Sequence, residues 1–354
     1  MTNTIFEPKE LIKYYPRGEK ALLGPFFRFN SSQTQEWFEQ RGVKLKTESD
    51  GRVFPVSDRS QTIIDCLMES AVSAGVIIRT KSPMTQLMAP NENSTDWKII
   101  LADNETITAQ KILIATGSNG KIWDVLKSLG HTISNPVPSL FSFNVNNPLI
   151  SGLAGLSVPT AICSITGLNF EEKGPLLITH WGFSGPVILR LSAWAAKELN
   201  EKKYDFQLVV NWTGMAKKAA VENAILEGLK QFPRQKISNR NFFGIPSRLW
   251  EAIVKSAKLR EMNWADIRKE EVEELTRQLF EAKFIVKGKS TNKDEFVTCG
   301  GVNLDEVDFR TMQSKKLPGL FFAGEVLDID AITGGFNFQA AWTTGWVAGE
   351  AIAE

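Results

Sequence analysis

Hydrophobic positions along the chain recur with two spacings. A period near 3.6 marks helices, whereas alternation or a short unbroken apolar run marks strands. The helical spacing covers residues 31–40, 60–74, 186–199, 216–232, 246–257, 269–282 and 337–353. Ser31 or Ser32 is placed to cap the first of these and Gly42 to stop it, while Gly75 closes the second. Alternation over 43–47 and 53–56, around the turn Ser49-Asp50-Gly51-Arg52, predicts a hairpin. Residues 98–101 and 106–108 predict another around Asp103-Asn104. Val76-Ile77-Ile78 and the run 111–115 are continuously apolar, the form of buried strands in a parallel sheet covered on both faces.

From about Val137 the texture changes. Short strand-like pieces at 141–145, 160–165 and 176–179 are separated by Pro, Gly and Ser, as in a small barrel or sandwich. A helix opens at Ser184-Gly185-Pro186, 206–210 is a strand, and three helical stretches follow before strand spacing returns at 284–286 and 295–298. The run 298–308 then leads through Pro318-Gly319 to an apolar strand, Leu320-Phe321-Phe322-Ala323, and the final helix. Strands alternating with helices at both ends predict an α/β fold. Residues 1–137 and 298–354 form one Rossmann-like domain in this reading, interrupted over 138–297 by an inserted unit, part barrel and part helical.

Composition narrows the chemistry more than the fold. The 354 residues include 41 Lys and Arg and 40 Asp and Glu, a formal charge of +1. That balance predicts neither a nucleic-acid nor a membrane partner. The basic residues read as scattered, with Lys202-Lys203 and Lys315-Lys316 as mere pairs. No apolar run reaches the ~18 residues of a membrane span, and the first ten residues lack the apolar core of a signal peptide. Cys66, Cys163 and Cys299 lie far apart, which argues against a disulfide framework and a zinc site and for a reducing cytoplasm. His131 and His180 are the only histidines. An enzyme so poor in His and Cys borrows its reactivity from an organic cofactor.

Two strand ends carry the candidate chemistry. The apolar strand at 320–323 ends in Gly324-Glu325, and after eight residues Gly334-Gly335 opens the last helix. Ligands of open α/β sheets bind outside the carboxyl ends of the strands. A helix start offers unpaired N–H groups and partial positive charge, which suit a phosphate or the electron-rich N1–C2=O edge of a reduced flavin. Glycines let the backbone approach that ligand, and Glu325 is placed to bond ribityl hydroxyls. A plain strand–turn–helix without a ligand is the alternative. The second strand end is Ala115-Thr116-Gly117, a small-residue turn of the kind over which a dinucleotide passes.

Several segments occur in one order: Tyr15-Pro16-Arg17-Gly18, Gly51-Arg52-Val53-Phe54-Pro55, Ala115-Thr116-Gly117, Thr179-His180-Trp181-Gly182-Phe183-Ser184-Gly185-Pro186, Thr298-Cys299-Gly300-Gly301-Val302, Gly324-Glu325-Val326-Leu327-Asp328 and Thr333-Gly334-Gly335-Phe336-Asn337-Phe338-Gln339. This series resembles the aminoacetone-oxidase/BaiN-like family of FAD-binding, NAD(P)/FAD-dependent oxidoreductases over nearly the whole chain. The resemblance implies a flavoprotein of the two-dinucleotide type with a barrel-plus-helices insert. It implies FAD and hydride transfer on a small-molecule substrate, as an oxidase or as an NAD(P)H-dependent reductase, and no metal. Thr116 and Gly117 would border the ADP portion. Gly324, Glu325, Asp328, Thr333, Gly334, Gly335, Phe336, Asn337, Phe338 and Gln339 would surround the flavin, chiefly through backbone N–H groups of 336–338.

One departure is large. The family opens with a strand, a G-x-G-x-x-G loop and a helix, and no G-x-G-x-x-G occurs in these 354 residues. Met1-Thr2-Asn3 looks like the end of a later NVTN-like family stretch. The resemblance therefore implies a missing first βα unit, exposed apolar edges in the sheet and a reading frame that continues upstream. The alternative is a truncated, non-catalytic flavoprotein relic with weak or no FAD binding. Three further residues keep two readings each. His180 is a proton donor facing substrate or a stitch within the insert; Arg17 and Arg52 hold an anionic group or are solvated. Cys299 reads as a buried structural thiol.

Overall fold

A computed structural model describes residues 1–91, 95–259, 261–290 and 297–354. The chain divides into two units, Met1–Val137 with Val297–Glu354, and Pro138–Phe296. The first stretch runs β1 (Thr2–Asn3), α1 (Pro8–Leu11), α2 (Glu19–Arg28), α3 (Ser31–Glu39), β2 (Leu45–Thr47), β3 (Arg52–Pro55) and α4 (Ser60–Ser73). It continues through β4 (Met84–Met88), β5 (Trp97–Leu101), β6 (Thr106–Ala109), β7 (Ile112–Ile114), α5 (Gly120–Ser128) and β8 (Ile133–Ser139). The N-cap of α3 is Asn30, not a serine. Its side chain accepts from Ser32 N and Gln33 N, and the Gln33 side chain accepts from Asn30 N in return, a complete capping box. Ser31 is thereby the first helical residue and is buried.

The second unit holds β9 (Ser142–Val145), β10 (Ser157–Ile165), β11 (Glu171–Ile178), β12 (Gly182–Ser184), α6 (Pro186–Trp194), α7 (Ala196–Glu201), β13 (Asp205–Asn211), α8 (Lys218–Gln231), α9 (Ser247–Ser256), α10 (Lys269–Phe280) and β14 (Ala282–Ser290). Its six strands close into an antiparallel barrel in the order β10-β11-β12-β9-β14-β13. Phe143, Phe183, Trp212 and Phe284 fill the interior, with Phe183 and Phe284 edge to face at 4.9 Å. The helix expected over 186–199 is broken at Ala195, where φ −94° and ψ 17° leave the helical region.

The chain then returns to the first unit with β15 (Val297–Val302), β16 (Val307–Asp308), β17 (Gln313–Ser314), β18 (Leu320–Phe322) and α11 (Phe336–Ala353). The strand expected from 295 is described only from Val297; Glu295 lies outside the described residues. β15 pairs with β8, and β16-β17-β18-β7 form one sheet. Within that sheet β18 runs parallel to β7, Leu320 opposite Ile112 and Phe322 opposite Ile114. The resulting architecture is an α/β unit interrupted in sequence by a unit that holds a closed barrel.

The apolar run at 76–78 is the main departure. It forms no strand, and Val76, Ile77 and Ile78 are 54%, 88% and 42% exposed. A strand exists only against a neighbour, and no described residue pairs with these three or with the second edge of β7. Leu113 on β7 and Ile64, Met68 and Val72 along α4 are exposed as well. Among the described residues the sheet is therefore not covered on both faces here. All three cysteines are buried and none is in a disulfide. Among the described residues no helix is long and apolar enough to cross a membrane, and no cluster of His, Cys, Asp or Glu could hold a metal ion.

Candidate functional site

Parallel pairing of β7 and β18 sets their carboxyl ends side by side, with Ala323 N bonded to Ile114 O at 3.0 Å. The chain leaves β7 through Thr116 and Gly117 and leaves β18 through Gly324 and Glu325. Both glycines are left-handed, with φ +64° at Gly117 and +71° at Gly324. A Cβ on Gly117 would meet nothing within 4 Å, and one on Gly324 would meet only Ala341, at 3.5 Å. Gly117 thus faces open space, whereas Gly324 lies against α11 at Ala341. Gly324 N is anchored on α11 by Thr344 Oγ1 at 2.9 Å. Glu325 is half-buried, and its carboxyl is held above the usual range by burial and by the charge of Asp330.

The loop between these turns and α11 is braced by the N-terminal segment. Arg17 forms a buried ion pair with Asp330, and Ile332 N bonds Tyr14 O at 3.0 Å. Tyr15 Oη donates to Phe336 O at 2.6 Å, while the Tyr14 ring stacks on Phe336 at 4.4 Å. Asn3 Nδ2 donates to Gly334 O at 3.0 Å. A Cβ on Gly335, where φ is +90°, would lie 2.4 Å from Thr2 O. Gly335 therefore serves close packing on β1 as well as the helix start. No pattern in the Tyr-Tyr-Pro-Arg-Gly segment identified Asp330 as the partner of Arg17, because that partner comes from the opposite end of the chain.

The expected flavin-site residues separate into two groups. One group is accessible: Gly117, Gly324 and Glu325 are partly buried, and Thr333 and Phe338 are exposed. No side chain caps α11, so the N–H groups of Phe336, Asn337 and Phe338 lack the acceptor that a capped helix would supply. The other group is turned inward. Gln339 is fully buried; its Oε1 accepts from Thr2, and its Nε2 donates to Thr34 at 2.9 Å and Thr343 at 3.0 Å. The Asn337 side chain bonds Ala331 N and O at 2.8 and 3.0 Å, closing the loop beneath the helix start. Phe336 is buried, and the buried Asp328 gives its N–H to Val302 O. For Gln339, Asn337 and Phe336 the side chain is a brace, and only the backbone of 336 and 337 remains for a ligand.

The other candidates fall elsewhere. His180 is an exposed residue of the β11–β12 turn in the barrel unit, which closes by Thr179 N to Gly182 O at 2.8 Å. Arg52 is exposed, paired with Asp50 at 2.7 Å and set over Phe54, a solvated hairpin arginine. Cys299 is fully buried. Gly300 and Gly301 after it pack against the backbone of 135–136 and 326–327. What the site offers is an open pair of strand ends, one half-buried carboxyl and an uncapped helix start. That set fits the ribityl and isoalloxazine portions of a flavin. Nothing in it supplies the glycine loop that seats a pyrophosphate.

The HI0933-like protein Rossmann domain matches residues 1–351. A ribosomal RNA dihydrouridine synthase of Escherichia coli is 27% identical, covering 99% of this chain and 85% of that protein. A 3-dehydro-bile acid delta(4,6)-reductase of Clostridium scindens is 26% identical, covering 92% and 81%. The Haemophilus influenzae ribosomal RNA dihydrouridine synthase is 24% identical, covering 99% and 86%. Among solved structures, a mutant E. coli quinol fumarate reductase chain aligns with a TM-score of 0.41 and 11% identity, over 98% of this chain and 59% of that one. With the match running from the first residue to within a few of the last, the chain belongs to the HI0933-like Rossmann-domain family of FAD-binding proteins.

Proposed function

We propose that this protein is an FAD-dependent oxidoreductase that works in the reducing direction, passing hydride from NAD(P)H to a small unsaturated substrate. The observation that carries the reading is the adjacency of the β7 and β18 ends, each leaving the sheet through a left-handed glycine, Gly117 and Gly324, together with the uncapped start of α11. A bound flavin would supply the hydride-transfer chemistry that a chain with two histidines and three buried cysteines does not. Glu325 would hold ribityl hydroxyls, and the N–H groups of 336–338 would face the edge where negative charge grows on reduction. The raised pKa of Glu325 keeps that carboxyl ready to share a proton rather than add a full charge to the pocket. The reducing direction is supported by the printed names of the relatives, one a reductase and two dihydrouridine synthases.

A second reading concerns the substrate. Two of these relatives are named for ribosomal RNA and cover 99% of the chain, so a pyrimidine base within RNA is an alternative to a free small molecule. One preparation tests the core of the proposal. The purified chain, incubated with FAD and desalted, is expected to show the two visible flavin bands and to bleach anaerobically with NADH or NADPH. A colourless protein that takes up no FAD would instead support the truncated relic. Bleaching by neither nucleotide would leave an oxidase.

A further inference from the structure

Helices α8 and α10 pack together within the second unit, and a cavity of about 400 Å³ lies along their seam. That volume suits a small molecule. Glu270, Glu273, Glu274 and Arg277 are spaced i, i+3, i+4 and i+7, so one face of α10 brings all four to the cavity. Lys218 and Glu222 reach it from successive turns of α8. Four carboxylates thus meet two cations, and both cations are already engaged. Arg277 is held by Glu274 through two bonds, at 2.7 and 2.8 Å, and Lys218 lies 3.5 Å from Glu281. Glu273 meets Lys269 at 3.9 Å, both largely exposed. Glu222 and Glu270 have no cation within ion-pair distance among the described residues.

Acidic residues alone would make a solvated face, and the floor of the cavity is what sets this one apart. Thr276 lines it and is 1% exposed, and its Oγ1 has no hydrogen-bond partner. A threonine inside a helix can satisfy itself on the carbonyl four residues back, and this hydroxyl does not. An unpartnered buried hydroxyl is costly to a fold, as are like charges at i, i+3 and i, i+4 on one helix. Both costs fall when an ammonium group enters between the carboxylates and donates to Thr276 Oγ1.

We propose that this cavity binds a linear polyamine, an aliphatic chain carrying several ammonium groups. Its carboxylates come from two helices, and among the described residues no group of them is placed to share one metal ion. A ligand that neutralises them must carry its charges apart, with methylenes lying along the α8–α10 seam. Ammonium groups donate and do not accept, which matches carboxylates and a hydroxyl oxygen. The site lies wholly in the second unit and does not rest on the flavin reading.

Calorimetric titration of the full chain with spermidine tests this, at low ionic strength where exposed charges are least screened. Binding should be saturable, and affinity should rise from butylamine through putrescine to spermidine as each added ammonium finds a carboxylate. E222Q/E270Q alters two side chains without cationic partners, so its thermal melt should stay close to the parent's. It should bind spermidine about tenfold more weakly. T276V keeps the side-chain shape and removes the hydroxyl, which separates a ligand contact from a structural one. Its melt should be unchanged or higher, with spermidine bound several-fold more weakly. E36Q/E39Q makes the same change of charge at exposed positions of α3 in the other unit and should bind like the parent. Equal weakening by the two double variants overturns the proposal, as does the absence of saturable binding. So does butylamine binding as tightly as spermidine, or a T276V protein that melts lower yet binds like the parent. Displacement of spermidine by an equal concentration of magnesium ion would make this a metal site and overturns it too.

Discussion

Gln339 is the residue for which the structure and the family pattern make different demands. If it is a brace, replacing it must destabilise the fold; if it is a flavin contact, it must weaken cofactor binding with the fold intact. Gln339→Leu keeps most of the volume and removes three hydrogen bonds. The Thr2 hydroxyl, fully buried, loses its acceptor and is left as an unsatisfied donor, at about 1–3 kcal/mol. Thr34 and Thr343 keep their own acceptors, Asn30 O and Phe29 O, so losing the Gln339 amide costs each about 0.5–1.5 kcal/mol. The expected total is about 2–6 kcal/mol, read as a lower urea midpoint at unchanged m value. Thr34→Val with Gln339→Leu should be less damaging than the two single changes added, by about 1 kcal/mol, because both remove the same α3–α11 bond. A loss under about 0.5 kcal/mol for Gln339→Leu, or strict additivity in the cycle, would refute the bracing role.

Asp330→Asn leaves the Arg17 guanidinium facing a neutral partner in a buried site, and should cost about 3–5 kcal/mol in urea unfolding; it should also lower the Glu325 pKa, measurable by carboxyl NMR, since Asp330 is one cause of its elevation. Gly117→Ala meets no neighbour but must adopt a positive φ, so stability should fall by only about 1 kcal/mol. Flavin affinity, followed by fluorescence quenching, should fall more than tenfold if the cofactor passes over that turn, and an unchanged affinity would remove Gly117 from the site. Acid should destabilise this fold in two stages. His131 is buried against Phe322 and its folded pKa is pushed below 6.5 by burial, ahead of the opposing contact from Glu306 at 2.8 Å, so stability starts to fall as pH drops through 6.5. Burial alone would raise Glu306, but bonds from Lys316, Thr132 and His131 outweigh it and hold the pKa at about 2; its contribution, full above the ordinary 4.5, is lost as pH falls toward 2. Glu306→Gln should lower the urea midpoint at pH 7 and flatten the limb below pH 4.5; parallel curves for the two proteins would contradict this account.

Local patterning was sufficient where an element is decided by its own residues. Apolar periodicity placed α4, α8, α9, α10 and α11 within a few residues of their ends, because an amphipathic stripe and its stop signals lie within one segment. The strand-plus-glycine motifs at 115–117 and 323–325 were legible for the same reason: a short apolar run and the positive-φ turn that ends it are adjacent in sequence. Whatever needed a partner from elsewhere was not. Val76–Ile78 has the composition of a buried strand, yet a strand is a property of two chains of backbone, and the three residues stay exposed. Asn30, not a neighbouring serine, capped α3 because the reciprocal Gln33 bond favoured it.

By itself, then, the sequence determined the two classes of element, the glycine turns and the lineage. Only the tertiary structure decided which of the motif residues turn outward. Parallel pairing of β7 with β18 set two distant turns side by side, and the Thr2, Thr34 and Thr343 hydroxyls turned Gln339 into the core. Both outcomes depend on buried polar groups finding partners from remote parts of the chain, and no spacing along a single segment encodes that requirement.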